Sequence, residues 1–270
     1  MAALVNMTAG IAIGAASLIA MAQPAATEIS VYAAGSLRSA LLDAARAFEA
    51  MHPGTRLRFT FGASGLLKDR LLAGETADVF ASANMEHPEA LRQAGQADAP
   101  VRFARNSMCA LVRPGLDVSA ESLVQRMLDP AVKLGTSTPK ADPSGDYAWL
   151  LFERIERSGV PGAFAALAGK ALQLTGGPQS PPPPADRNVY GALVMTGLAD
   201  IFITYCTSAT LAVREQPGLG MVGVPASIAV AADYGLVVMK TAPQAAREFA
   251  AFLLGSNGRR VLAAHGFSPP

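Results

Sequence analysis

Charge is scarce in this chain, and residues that carry chemistry are scarcer still. Charged side chains make up 16% of the 270 residues, and the formal net charge is +1. Lysines and arginines fall singly along the chain, so nothing marks the clustered basic face that nucleic acid requires. The three histidines, His52, His87 and His265, stand near turns or helix ends with no partner at metal-ligand spacing. No CxxC or HExxH occurs, and glycine-rich phosphate loops of the Walker or Rossmann type are absent. Gly62-Ala63-Ser64-Gly65 falls short of the G-x-S-x-G nucleophile elbow. No base is visible near Ser36 or Ser64 to activate a hydroxyl, so the sequence predicts no enzyme. A serine-dependent hydrolase is the rival reading from that class.

Residues 1–27 carry no charged side chain and contain the apolar run from Ala9 to Ala22. That pattern predicts a signal peptide over 1–22 with Ala20-Met21-Ala22 as its cleavage motif. The run is short for a membrane span, Gln23-Pro24 follows it, and no cysteine stands nearby to carry a lipid. A soluble, exported, periplasmic protein is expected. The two cysteines, Cys109 and Cys206, fall in stretches that read as strands. They read as buried small hydrophobes, with a disulfide as the alternative in an oxidising compartment.

What the chain does have is alternation of strand and helix. Ile29 to Ala34 reads as a buried strand, and Leu37, Ala40, Leu41, Ala44, Ala45 and Phe48 then form one apolar helical face. Leu57 to Phe61 alternates as a strand, and Leu66 to Ala73 is helical. Asp78 to Ala83, Ser107 to Arg113, Val132 to Gly135, Asp200 to Tyr205, Gly220 to Pro225 and Tyr234 to Met239 read as further strands. A long helix opens at Ser144-Gly145, another covers Pro161 to Ala171, and one starts at Asn188. This is an α/β pattern with mainly parallel strands. Gly176 to Pro184 is a proline-rich stretch that can be neither helix interior nor central strand, and reads as a polyproline II insertion within one lobe.

Strand, small polar turn and helix recur with Ser36, Ser64 and Ser144 at the junctions, and the segment at Val189 also opens a helix. A helix N-terminus offers unpaired N–H donors and a partial positive charge. Several such ends around one cleft would hold an oxyanion and select it by size and geometry. The plainer alternative for each serine is an ordinary N-cap.

In order along the chain come Tyr32-Ala-Ala-Gly-Ser-Leu37, Phe61-Gly-Ala-Ser-Gly-Leu66, Ala77-Asp-Val-Phe-Ala-Ser-Ala83 and Pro143-Ser-Gly-Asp-Tyr-Ala148. Asn188-Val-Tyr-Gly-Ala-Leu193, Ile203-Thr-Tyr205 and His265-Gly-Phe267 follow. Taken as an ordered set, these pieces resemble the periplasmic molybdate-binding proteins of ABC transporters over nearly the whole chain after the signal. The resemblance implies a two-lobed type II periplasmic-binding-protein fold: α/β, mixed mainly parallel sheets with helices on both faces, and a two-strand hinge. The lobes would be 27–105 with 205–270, and 106–204. Ser36 and Ser64 would supply hydroxyl and backbone donors, Ser144 and Val189 backbone N–H groups, and Tyr205 its hydroxyl. The ligand implied is molybdate or tungstate, with no cofactor and no metal held directly by side chains. The partners implied are the transmembrane subunits of an ABC permease, and the protein would act as a monomer. Another small anion or an organic acid is the alternative ligand; ferric iron fits poorly, since only Tyr205 matches its usual tyrosine and carboxylate cluster. The departures from the family are the proline insertion, the hydroxyl at Ser144 and Cys206 after the tyrosine.

Overall fold

The computed structural model describes residues 26–182, 184 and 187–270. The expected signal peptide over 1–22 lies outside the described residues, as does part of the proline run.

The chain opens as expected. Strand β1 (Thr27–Ala34) buries its second half, a single 3-10 turn (Gly35–Leu37) follows, and helix α1 (Arg38–Met51) buries Ala40, Leu41, Ala44, Ala45 and Phe48. The unit repeats as β2 (Thr55–Gly62) and α2 (Ser64–Leu72), then β3 (Val79–Ser82) and α3 (Glu86–Gln93). Strand β4 (Val101–Val112) is longer than expected, because Val101 to Asn106 extends the ladder on its N-terminal side through a register shift between Arg102 and Ala104. After it come α4 (Leu123–Leu128), β5 (Leu134–Ser137), α5 (Pro143–Arg157), α6 (Ala163–Lys170) and β6 (Leu172–Thr175). The chain closes with α7 (Val189–Met195), β7 (Ile201–Tyr205), α8 (Cys206–Glu215), β8 (Gly220–Gly223), β9 (Ala231–Val238), α9 (Gln244–Leu254) and α10 (Ser256–Ala264). β6 and α8 are absent from the sequence reading.

The nine strands run in the order β2-β1-β3-β9-β4-β7-β5-β6, with β8 also on β4. β1 pairs in parallel with β2 and β3, and β5 pairs in parallel with β6 and β7. Between these two parallel blocks run β4 and β9, antiparallel to each other and to their neighbours. The first half of β4 pairs with β9, and its second half pairs with β7 and β8. β4 therefore belongs to both halves, and with β9 it is the two-strand hinge of a type II periplasmic-binding-protein fold. α8 and β8 pack on the β4–β7 side, while α9 and α10 return to β9, β1 and α1.

The cysteines correct the sequence reading. Cys109 and Cys206 form a disulfide with an S–S distance of 2.07 Å. Cys206 is the first residue of α8, not a strand residue. Antiparallel pairing sets Cys109 opposite Thr204, two residues before Cys206, which leaves the two Cα atoms 4.8 Å apart. That lies within the span a disulfide needs. The register that brings them together is not readable from two cysteines separated by 97 residues.

Candidate functional site

In open α/β sheets, ligands bind beyond the C-terminal ends of parallel strands. Here those ends face one another across the hinge. Ser36 follows β1, Ser64 follows β2, Tyr205 ends β7 and Val189 opens α7. All four line one cavity of about 780 Å³ between the two halves. Ser144 does not line it; it is fully buried at the start of α5, behind Asp142, which does.

Neither serine of the first half is a helix cap. No side-chain cap bond closes the 3-10 turn, α1 or α2. The Ser36 hydroxyl instead lies 2.9 Å from the Tyr234 hydroxyl of β9. Ser64 accepts a hydrogen bond from the Ala83 N–H at 3.1 Å, which leaves its own hydrogen free. The main chain of α2 also reaches the second half directly: the Gly65 N–H donates to the Ala141 carbonyl at 2.9 Å.

In the second half the caps are real. Asn188 accepts from the Gly191 N–H at 3.0 Å, which leaves Val189 and Tyr190 at the open end of α7. Asp142 accepts the Ser144 N–H at 3.0 Å. The backbone donor expected of Ser144 is therefore already engaged, and its buried hydroxyl is the atom without a partner. The buried hydroxyls of Thr136 and Tyr205 share that condition. They sit at the ends of β5 and β7. An unsatisfied buried polar group costs about 1–3 kcal/mol, and of these hydroxyls that of Tyr205 lines the cavity, where an oxygen acceptor would satisfy it. The signal that could have found them is polar residues at strand C-termini in an otherwise apolar run: Thr136-Ser137 and Thr204-Tyr205.

α8 adds donors that the sequence reading missed. Tyr205 occupies its N-cap position without a side-chain bond, and Cys206, Thr207 and Ser208 of its first turn line the cavity. Burial pushes the Tyr205 phenol well above its ordinary pKa, so it stays protonated and can only donate to an anion. Arg38 and Arg214 also stand on the cavity wall, although no arginine was expected there. The Arg38 guanidinium lies 4.5 Å over the Phe61 ring.

Asp142 brings the opposite sign. Burial pushes its carboxyl up to about 6, opposed by the Ser144 N–H and the Ser137 hydroxyl and reinforced by Asp146. The unfolded chain releases this proton near 3.8 and the folded chain near 6, so the folded state holds more protons between those values. Stability from this group therefore falls as pH rises through that window and is level above it. Asp142→Asn keeps a capping oxygen and removes the fall, so it should be more stable than wild type at pH 7 by up to about 3 kcal/mol and not at pH 3.5. Thermal midpoints across this range check it; parallel profiles for the two proteins would refute it.

Among the described residues, no group of three or more histidine, cysteine or acidic side chains is placed to hold a metal ion, and no helix is long and apolar enough to cross a membrane.

Residues 29–268 match the family described as bacterial extracellular solute-binding protein. An uncharacterized protein of Pasteurella multocida, PM1146, is 32% identical over 240 residues, 88% of this chain and 98% of that protein. The molybdate-binding protein ModA of Mycobacterium tuberculosis is 30% identical over 256 residues, 91% of this chain and 86% of ModA. Among solved structures, the sulfate-binding protein SubI of M. tuberculosis superposes with a TM-score of 0.74 at 20% identity, covering 90% of this chain and 87% of SubI. The periplasmic molybdate-binding protein of Azotobacter vinelandii gives 0.71 at 18% identity, covering 90% and 99%.

Proposed function

This chain belongs to the bacterial extracellular solute-binding proteins, and on that premise we propose that its cleft captures a tetrahedral oxyanion, molybdate or tungstate, for an ABC importer. It is a transport protein that binds and releases, not an enzyme. The observation that carries the ligand reading is the convergence of Ser36, Ser64, Val189 and Tyr205 on one cavity from both sides of the hinge. Their hydroxyls and helix ends offer hydrogens to oxygen acceptors without a covalent or charged partner.

The first lobe comprises residues 27 to about 105 and the chain from β9 onward; the second runs from about 106 through β8. This reading returns the chain to the first lobe at β9, supported by the packing of α8 and β8 on β4 and its neighbours, where the sequence expectation puts the return at 205. Donors from both lobes meet the anion only when the cleft is shut, so the ligand binds the closed form more tightly and shifts the population toward it. The transmembrane subunits of the permease then read the closed form of a monomer, in the periplasm.

Isothermal titration with molybdate, tungstate and sulfate tests the ligand. Tight binding of the first two is expected; no heat and no thermal shift with any of the three would end the oxyanion reading. Ser36→Ala and Ser64→Ala should each weaken binding by about 1–3 kcal/mol with the thermal midpoint of the empty protein retained. If both bind as wild type does, the hydroxyls are not part of the cage. The ligand-sized alternative, an organic acid or another small anion, draws on the breadth of the cavity and enters the same titration as further candidates.

A further inference from the structure

We infer that Asn106 and Tyr234 form a hydrogen-bond relay across the two hinge strands that turns the hydroxyls of Ser36 and Thr207 into the cleft as donors. Thr207 thereby becomes a ligand contact, and Asn106 and Tyr234 become positioning residues. The inference rests on the oxyanion reading of the same cavity.

The relay starts from an amide whose orientation is fixed. Asn106 lies on β4, 5% exposed, opposite Ala232 of β9. Its Oδ1 accepts the Ser107 N–H at 2.9 Å, and a backbone N–H can only donate. The Nδ2 group must therefore face the other way, where it has two acceptors for its two hydrogens: Thr207 Oγ1 at 2.8 Å and Tyr234 Oη at 3.4 Å.

Direction then passes from bond to bond. Tyr234 is fully buried and its hydroxyl is 2.9 Å from Ser36 Oγ. Having accepted from Asn106, Tyr234 sends its own hydrogen to Ser36. Burial raises the phenol's pKa, so that hydrogen is kept at neutral pH. Ser36 and Thr207 have now each accepted one hydrogen bond from the protein, and both line the cavity. The hydrogen each hydroxyl retains is left for the cavity. Ser64 repeats the arrangement with the Ala83 N–H as its donor.

An independent observation points to a ligand at the same place. The Tyr205 hydroxyl, on a residue 1% exposed and two positions before Thr207, lines the cavity without any partner. One side chain in the hinge thus sets donors in both halves of the molecule, Ser36 after β1 and Thr207 on α8.

The test is molybdate titration of the full chain carrying Tyr234→Phe, Ser36→Ala, both together, Thr207→Val and Thr207→Ser, with thermal midpoints to confirm folding. Tyr234→Phe keeps the ring and should lose about 3- to 10-fold in affinity. The double variant should bind no worse than Ser36→Ala alone, because the relay acts through that hydroxyl; a merely structural tyrosine would give additive losses. Thr207→Val should lose a similar factor and Thr207→Ser should retain wild-type affinity. Wild-type binding by Tyr234→Phe or Thr207→Val, or additive losses in the double variant, would overturn the relay and leave the oxyanion reading standing. A wild-type protein that takes up neither molybdate, tungstate nor sulfate would overturn both.

Discussion

Gly65→Ala should weaken anion capture by about 3 kcal/mol, roughly 100-fold, while the empty protein melts close to the wild-type temperature. A Cβ at this position would sit 2.5 Å from the Lys140 carbonyl oxygen and 2.6 Å from that of Ala141. Both are main-chain atoms, and neither can swing aside as a side chain would. The same glycine donates its N–H to Ala141. This is a main-chain contact between the first turn of α2 in one lobe and the loop before α5 in the other. The two lobes can relieve the clash by moving apart, so the cost falls on closure and not on the folding of either lobe. Titration calorimetry beside thermal melting separates these terms. An affinity within twofold of wild type would show that α2 and the 138–142 loop need not touch when ligand is held.

The second large effect concerns the Cys109–Cys206 bond. It closes a separation of 97 residues, for which the chain-entropy model gives between 4 and 5 kcal/mol, approximately, of stabilisation. Cys109→Ala with Cys206→Ala, or reduction of the native protein, should lower the thermal midpoint by about 8–20 °C. The bond also ties the first residue of α8 to the hinge strand β4. Since Tyr205 and Thr207 flank Cys206, affinity for the anion should drop with it. If the reduced protein melted where the oxidised one does, the bond would be dispensable for the fold.

The parts legible in the sequence are those whose cause is local. β1 and α1 declare themselves because an apolar strand gives way within three residues to an apolar stripe at helical spacing. Ser36 and Ser64 were visible for the same reason: each stands where one periodicity hands over to another. α8 was not, since Cys206 to Glu215 buries only Ser208, Ala209 and Ala212, and its larger apolar residues, Leu211 and Val213, form no stripe at helical spacing. Asp142 shows a different failure. It precedes Pro143 and caps the helix through a local bond from the Ser144 N–H two residues on, which removes the expected donor; the signal was in the sequence and was not used. Asn106 and Tyr234 lie 128 positions apart and meet only through the β4–β9 register. No window of sequence contains both.

The hinge has a temporal consequence as well. β3 at Val79–Ser82 finds its second neighbour only in β9, at Gly235–Val238, and the first half of β4 waits for the same strand. The first lobe therefore cannot finish its sheet until almost the whole polypeptide has been synthesised. Pairings this distant in sequence are slow to form. While β9 is still missing, β3 lacks its second neighbour and the first half of β4 has no partner strand, so the first lobe's sheet is the last part of the molecule to close.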